Sequence, residues 1–307
     1  MENNNLPDFL VVGAAKAGTT SLHKYLDLND SICMSKIKEP KFFSFLANKI
    51  HFNGPGDNAV FKNIVKSYES YLNLFESGTS NDIKGESSAD YLYYFKEVGP
   101  LINQYLNNPR IIILLRNPID RAFSAYTHLM RDNRETNAFE KGLELENLRI
   151  KTGYEFIWHY REVGKYYKQV DYYLKNFSNV KIFLFEDLKA DAQKVVDETC
   201  DFLGVNTVKI NSGKIYNKSG IPKKNWQTNF YNNFVCSDNT IKKTLKNTLP
   251  KNTKKLIRGK LREKLFENNL EKPQMKPETR KMLIEYYRED ILKLQELINR
   301  DLTNWLK

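Results

Sequence analysis

The sequence is poor in cysteine and histidine, with 3 Cys and 4 His in 307 residues. Cys33, Cys200 and Cys236 are far apart and odd in number, so neither a disulfide framework nor a zinc site with paired Cys or His spacing is predicted. No apolar run approaches the length of a transmembrane helix. The first eight residues lack the basic and apolar parts of a signal peptide. We therefore expect a cytoplasmic protein without a transmembrane segment.

What the sequence does contain excludes a disordered chain. Hydrophobic residues make up 41% of the sequence and aromatic residues 13%, which is enough for a packed core. We expect a single domain over residues 1–307. The net charge of +11 favours anionic partners, among them phosphates, acidic glycans, nucleic acid and anionic membranes. The densest basic stretch, residues 242–264, is either a solvated helical face or a surface for an acidic acceptor.

Three segments repeat the order of a short apolar run, a turn and an amphipathic stretch. The apolar runs are residues 9–12, 111–115 and 180–185, and the helical patterns are residues 21–28, 120–131 and 192–203. Continuous apolar runs are typical of parallel strands that are buried on both faces. The pattern predicts an α/β three-layer sandwich with a central, mostly parallel sheet that binds ligands at the carboxyl ends of its strands.

Other segments are predicted to be helical. Residues 66–75 and 154–177 are rich in aromatic residues, which favours helices there. From Pro277 the chain resembles one long terminal helix, because apolar residues recur at nearly helical spacing. The predicted apolar positions of this helix are Met282, Tyr286, Ile291, Leu294 and Leu297.

Residues 13–20, GAAKAGTT, have the glycine spacing of a phosphate-binding loop between a strand and a helix. Backbone N–H groups and the helix dipole form an anion site at such a position. A P-loop kinase or GTPase has lysine directly after the second glycine, but here Thr19 follows Gly18. The lysine is instead Lys16, inside the loop, where its ammonium could contact a phosphosulfate and the leaving bridging oxygen. No metal is required for that role.

Residues 16–22, KAGTTSL, resemble the 5'-phosphosulfate loop of the sulfotransferase superfamily, and residues 116–126, RNPIDRAFSAY, are similar to its 3'-phosphate motif. The resemblance implies a P-loop-NTPase-like sulfotransferase fold and the donor 3'-phosphoadenosine 5'-phosphosulfate (PAPS), with PAP as product and without a metal. Arg116, at a strand end, can bind a phosphate bidentately. The donor-binding residues implied are Lys16, Ala17, Gly18, Thr19, Thr20, Ser21, Arg116 and Ser124.

The similarity extends over most of the chain and is greatest to glycan sulfotransferases of the heparan sulfate type and their bacterial relatives. In that family, a segment resembling residues 217–223 closes over the nucleotide. Lys218 and Lys223 are therefore candidates for contacts with the 3'-phosphate or the adenine, although the sequence alone is equally compatible with a surface turn.

Two residues are candidates for the general base that accepts the acceptor proton. Residues 38–43, KEPKFF, resemble the heparan-type segment whose Glu is the base, which favours Glu39. The segment departs from the family at Lys41, where members of that branch often have His. His128 lies four residues after Ser124 and is expected on the same helix face, so it is the second candidate. Glu86 precedes a position where some relatives have a lysine, and it is expected to cap or orient the loop.

The sequence leaves other functions and the acceptor open. A P-loop kinase or nucleotide hydrolase is disfavoured by the missing lysine and by the lack of an evident magnesium carboxylate. A nucleic-acid-binding protein is suggested by charge, but no nucleic-acid motif supports it. The expected acceptor offers a hydroxyl or amine, most readily on a glycan, and a small metabolite, sterol or lipid is the alternative. Aromatic residues in segments 91–95 and 154–167 could line a sugar site or belong to the core.

Overall fold

The computed structural model describes residues 5–50, 52–79, 82–211, 221–222, 270–271 and 273–307. Its centre is a 5-stranded sheet in the order β2-β3-β1-β4-β5. The strands are β1 (Phe9–Gly13), β2 (Ile32–Met34), β3 (Ile83–Ser87), β4 (Arg110–Leu115) and β5 (Val180–Leu184). Every neighbouring pair in this sheet is parallel. The predicted parallel α/β sheet is therefore confirmed.

The two central strands explain why their sequences are continuously apolar. All residues of β1 are buried, and β4 is buried from Ile111 onward, because helices cover both faces of the sheet. After β1 the chain forms β2 and then β3 on one side of β1, and it afterwards crosses to β4 on the other side. The carboxyl end of β1 is therefore a topological switch point, where open α/β sheets form their ligand crevices.

Helices separate the strands along the chain. The bounds are α1 (Thr19–Leu26), α2 (Phe42–Leu46), α3 (Asp57–Phe61), α4 (Tyr68–Leu72), α5 (Phe95–Leu106), α6 (Pro118–Arg131), α7 (Phe139–Glu144), α8 (Glu146–Lys151), α9 (Tyr166–Asn176), α10 (Phe185–Ala190), α11 (Ala192–Leu203) and α12 (Pro277–Ile298). One layer contains α1 and α11, which pack on each other, and the other contains α5, α6, α9 and α12. These layers and the sheet form the three-layer sandwich.

Local signals fix the ends of the helices that matter for the site. The side chain of Asn117 accepts hydrogen bonds from the backbone N–H groups of Ile119 and Asp120, and Pro118 is the first helical residue, so α6 begins directly after the β4 strand and Arg116. The N-cap of α11 is Asp191, and Gly204 ends that helix with a φ of 76°. The predicted helix over residues 192–203 is confirmed to the residue.

The terminal helix is confirmed, but its predicted apolar face is partly wrong. Leu283, Tyr287, Ile291 and Leu294 are buried in the core, whereas Met282 is 44% exposed. The first half of the buried face is therefore displaced by one residue from the predicted positions. The aromatic segments also differ from the prediction: residues 66–75 contain α4 and a 3₁₀ turn, and residues 154–177 contain two 3₁₀ turns before α9.

Candidate active site at the carboxyl ends of the strands

The phosphate loop lies between β1 and α1, as the sequence predicts. Lys16 and Gly18 have φ angles of 71° and 97°, so the loop uses the left-handed region twice. A Cβ atom on Gly18 would lie 2.7 Å from Leu188 Cδ2 and 3.2 Å from Phe185 Cδ2, so no larger residue fits there. The N–H groups of Thr19 and Thr20, the first two of α1, precede the helical hydrogen bonds and are available to an anion, whereas the Ser21 N–H donates to the Gly18 carbonyl at 2.9 Å.

Arg116 connects the phosphate loop to the end of β4. Its Nη1 donates a hydrogen bond to the Lys16 carbonyl oxygen at 3.0 Å. Its guanidinium carbon lies 4.7 Å from the centre of the Phe185 ring, which fixes the plane of the group. Phe185 also closes the space beside Gly18. Arg116 and the loop are thus held by the same aromatic ring at the start of α10.

Two further predicted residues lie on α6. Ser124 is buried, and His128 is one turn further along the helix and half-buried. His128 Nδ1 lies 2.6 Å from Arg131 Nη2, and His128 Nε2 lies 3.7 Å from Asp132 Oδ2. Because the arginine is always a donor, Nδ1 accepts this hydrogen bond and the proton of the neutral ring is on Nε2. Arg131 and Asp132 were not singled out in the sequence.

The segment after β2 carries Glu39 and is attached to the end of β3. Glu39 and Lys41 have φ angles of 58° and 52°. The Glu39 N–H donates to the Ser87 carbonyl at 2.9 Å, and the Lys41 N–H donates to Ser88 Oγ at 3.1 Å. These hydrogen bonds hold an unfavourable backbone conformation in place. They bring Glu39 to the edge of the sheet that carries the phosphate loop.

Cations surround the carboxylate of Glu39. Its Oε1 accepts a hydrogen bond from Lys38 Nζ at 2.6 Å, and its Oε2 lies 3.7 Å from Lys41 Nζ. Burial favours a raised pKa for Glu39, but the Lys38, Lys41 and Lys16 ammonium groups outweigh burial and lower this pKa to about 2. Glu39 is therefore ionised throughout the neutral range.

Lys16 and His128 are both driven towards their neutral forms. Burial, together with the neighbouring Arg131 and Arg116 charges, lowers the pKa of Lys16 to about 8, against the opposing effect of Glu39. Burial and the Lys16 charge lower the pKa of His128 to about 3. An excess of positive charge at this point is what an anionic ligand would relieve.

The structure shows which groups Glu86 contacts, which the sequence could not predict. It is fully buried in β3, where it accepts hydrogen bonds from Tyr71 and, at 2.5 Å, from Ser88 Oγ. Burial raises the pKa of Glu86 to about 7 in spite of these hydrogen bonds. Because Ser88 Oγ also accepts from the Lys41 N–H, Glu86 orients the segment that carries Glu39.

The structure thus brings Glu39, Arg116 and His128 each within electrostatic reach of Lys16. The remaining loop residues, Ala17, Thr19, Thr20 and Ser21, form the loop and the start of α1. Lys218, Lys223 and the basic stretch at residues 242–264 lie outside the described residues. His23 is buried with its Nδ1 at 3.2 Å from Ser87 Oγ, close to the charge of Glu39.

The described part of the chain contains neither a candidate metal site nor a helix that could span a membrane. No group of three or more His, Cys, Asp and Glu side chains in it is arranged to hold a metal ion. Among the helices described, none combines the length and the apolar character needed to cross a membrane.

A parallel α/β sheet with a glycine-rich loop after its first strand and an arginine after a neighbouring strand is the arrangement of α/β proteins whose ligand crevice lies at the carboxyl ends of the strands. The model of the sulfotransferase domain family matches residues 6–296. The chain therefore belongs to the sulfotransferase domain family. It has the P-loop-like sulfotransferase fold.

Individual relatives agree with this assignment. A sulfotransferase structure from Alicyclobacillus acidocaldarius is 32% identical, covers 98% of this chain and 99% of its own, and superposes with a TM-score of 0.76. Mouse bifunctional heparan sulfate N-deacetylase/N-sulfotransferase 4 is 29% identical over 66% of this chain, which spans 23% of that protein. Human heparan sulfate glucosamine 3-O-sulfotransferase 3B1 is 24% identical over 72% of this chain and 52% of its own length. The chain thus spans about half or less of these curated relatives.

Proposed function

We propose that this protein transfers the sulfuryl group of PAPS to a hydroxyl or amine of an acceptor, most readily a glycan. One observation carries the proposal: Lys16, whose carbonyl accepts a hydrogen bond from Arg116, lies within electrostatic reach of the carboxylate of Glu39. A phosphate-binding loop, a second phosphate-binding arginine and a proton acceptor are the groups that such a reaction needs.

The residues present fit the donor. Gly18 adopts a φ of 97°, which glycine takes without strain, so the loop can turn tightly into α1. The excess of positive charge around Lys16 favours an anion carrying several charges. Arg116 presents a planar group that suits a 3'-phosphate, and Ser124 is a candidate donor on the following helix. Lys218 and Lys223 remain candidates for the closing segment.

In the proposed reaction, Lys16 acts on the donor and Glu39 acts on the acceptor. When bound, PAPS would supply a sulfuryl group attached to a good leaving phosphate. Lys16 would stabilise negative charge on the bridging oxygen as the S–O bond breaks. The hydroxyl oxygen or amine nitrogen of the acceptor would form the new bond to sulfur, and Glu39 would take up the proton that this atom loses. The products are PAP and the sulfated acceptor, and positioning contributes much of the rate.

A glycan acceptor is proposed from the relatives, whose names include heparan sulfate enzymes. The aromatic segments offer limited support, because Tyr91, Phe156, Trp158 and Tyr160 are buried in the core. Tyr93, Tyr94 and Tyr154 are half-buried and could contact a sugar ring. A small metabolite, sterol or lipid is the alternative acceptor, and an acceptor screen with labelled donor distinguishes these classes.

Calorimetric titration tests the donor before any acceptor is known. The purified protein is titrated with PAP, with ADP and with magnesium-ATP. We expect metal-independent binding of PAP that is much tighter than binding of the other two. Arg116→Ala should weaken PAP binding by about 1.5–3 kcal/mol, the contribution of a hydrogen bond to a charged group.

Arg288→Ala is the matched control, because Arg288 pairs with Glu285 on the exposed face of α12, and it should bind PAP like the native protein. A preference for magnesium-ATP over PAP would contradict the proposed function and would favour a P-loop kinase.

A further inference from the structure

The buried side chain of Lys41 is not used by the chemistry proposed above. It is only 2% exposed, and its Nζ lies 3.4 Å from Asp90 Oδ2 and 3.7 Å from Glu39 Oε2. The ammonium also lies 4.6 Å from the centre of the Phe156 ring. A buried ammonium between two carboxylates requires an explanation, because removing a lysine from water is costly.

We propose that Lys41, anchored by Asp90, is a positioning residue that stabilises the carboxylate form of Glu39 and holds its Oε2, so that Oε1 is the atom that accepts the acceptor proton. This inference rests on the proposed function, in which Glu39 is the general base.

The two lysines next to Glu39 differ in how firmly they are held. Lys38 contacts Oε1 at 2.6 Å, but its side chain is 21% exposed, and its ammonium can turn into solvent. Lys41 is enclosed and tied to Asp90, whose own side chain is 2% exposed. An arriving acceptor can therefore displace Lys38 from Oε1, whereas Lys41 stays against Oε2.

Backbone hydrogen bonds also hold Lys41 in place. The Lys41 N–H donates to Ser88 Oγ, and Phe45 N–H donates to the Lys41 carbonyl at 2.9 Å, so both ends of the residue are fixed. Within the described residues, neither Lys41 Nζ nor Asp90 Oδ1 has a partner in hydrogen-bonding geometry. The pair therefore acts through charge, and this is the property that a substitution can remove.

All charged groups that face Glu39 contribute to its titration midpoint. Lys38 and Lys41 lie on its own segment, Lys16 on the phosphate loop and His23 on α1. Asp90 and Glu155 face Lys41 from the ends of other segments. Burial keeps His23 neutral by lowering its pKa to about 4, so lysines supply the positive charge around Glu39.

The test measures Glu39 directly and needs no acceptor. The protein is labelled with ¹³C at the glutamate carboxyl carbon, and the Glu39 signal is assigned by its absence in Glu39→Gln. In the native protein this signal should remain that of a carboxylate down to about pH 4. In Lys41→Met its titration midpoint should rise by about 1–3 pH units, the usual effect of losing an adjacent opposite charge.

Three further variants make the result specific. Lys36→Met is the matched control, since Lys36 also pairs with a carboxylate at 3.4 Å, but on the surface; it should leave the Glu39 titration unchanged. Asp90→Asn keeps the Lys41 charge and should not raise the midpoint. If Lys41→Met leaves Asp90 unpaired and does not fold, Lys41→Met/Asp90→Asn removes both charges and should raise the midpoint in the same direction.

An unchanged Glu39 titration in Lys41→Met or in the double variant would overturn the inference. Failure of the proposed function is recognised separately, by a native protein that does not bind PAP or by an unimpaired Glu39→Gln. Retained PAP binding in Lys41→Met confirms that the nucleotide site is intact and that the effect is confined to Glu39.

Discussion

At the scale of single residues, Lys16 carries its charge in a region that is already crowded with cations. Burial and the neighbouring arginines lower its pKa to about 8, so the free protein loses this proton at mildly alkaline pH. If a phosphate of the donor binds beside Lys16, as proposed, it would stabilise the ammonium form and raise this pKa again. Donor binding would then be linked to proton uptake at Lys16.

We therefore expect PAP affinity to fall as pH rises above about 8, by up to about tenfold per pH unit, because binding then requires uptake of one proton. Lys16→Met should bind PAP more weakly at neutral pH and should lose this pH dependence. Calorimetry between pH 6.5 and 9.5 measures both effects. Lys168→Met, on the exposed side of α9, should retain the native profile. An identical slope in Lys16→Met would show that another group titrates.

The two candidate bases differ in the availability of a lone pair. His128 Nδ1 accepts from Arg131 at 2.6 Å, and burial with the Lys16 charge lowers the His128 pKa to about 3. Glu39 is a carboxylate whose Oε1 accepts a hydrogen bond only from the partly exposed Lys38 among the groups described. The geometry thus favours Glu39.

Glu39→Gln should lower kcat by about 10²–10⁴-fold, the usual contribution of a general base, without changing PAP affinity by more than a few-fold. His128→Gln should cost less, because an amide can still accept from Arg131. Single-turnover rates with labelled PAPS, once an acceptor is found, decide between the two residues. The reverse ranking would transfer the role to His128.

At the scale of elements, the phosphate loop depends on the φ of 97° at Gly18 and on the α10 side chains beside it. Gly18→Ala should destabilise the fold by about 1–3 kcal/mol through overpacking, in addition to its backbone strain. It should also weaken PAP binding at least tenfold. Urea unfolding and calorimetry measure the two effects.

Gly204→Ala isolates the backbone contribution. Gly204 has a φ of 76°, and a Cβ atom there would have no neighbour within 4 Å. Gly204→Ala should therefore lower the free energy of unfolding by only about 1 kcal/mol and should leave PAP affinity unchanged. Equal costs for the two variants would mean that the contact with Leu188 and Phe185 is unimportant.

The same elements show what the sequence can reveal. Residues 9–12 and 111–115 are buried on both faces and are therefore continuously apolar, so the central strands and the loop between β1 and α1 were predictable. The short strand β2 and the polar strand β3, IKGES, have no such pattern. Glu86 is tolerated in β3 only because Tyr71 and Ser88 donate to it, and this is tertiary information.

Some contacts between the site residues could also be predicted from the sequence, and others could not. Lys16 follows the carboxyl end of β1 and Arg116 follows that of the neighbouring strand β4, and their proximity was predictable because the carboxyl ends of parallel strands meet at one edge. The partners of Glu39 were not, because Asp90 approaches Lys41 from a segment about 50 residues away in the sequence. Met282 was misassigned because Leu283, the next residue, is equally apolar, so the sequence pattern does not decide which of the two faces the core; Leu283 is fully buried and Met282 is exposed.

At the scale of the whole molecule, the C-terminal segment is joined to the elements that form the site. Asp290 Oδ2 accepts from the Tyr166 N–H at 2.8 Å, and the Tyr287 hydroxyl donates to the Arg161 carbonyl at 2.9 Å. Asn117, which caps α6 next to Arg116, donates to the Trp305 carbonyl at 3.4 Å. These contacts support the expectation of one cooperative domain.

Leu294→Ala tests that expectation, because Leu294 is fully buried where α12 packs against the domain. It should lower the free energy of unfolding by about 2–5 kcal/mol, the cost of a core truncation. If the chain is one cooperative unit, fluorescence and PAP binding should be lost in one coincident transition in urea. Leu292→Ala, at a position that is 41% exposed, should change stability by no more than about 0.5 kcal/mol. An early transition that spares PAP binding would instead make α12 a separate unit.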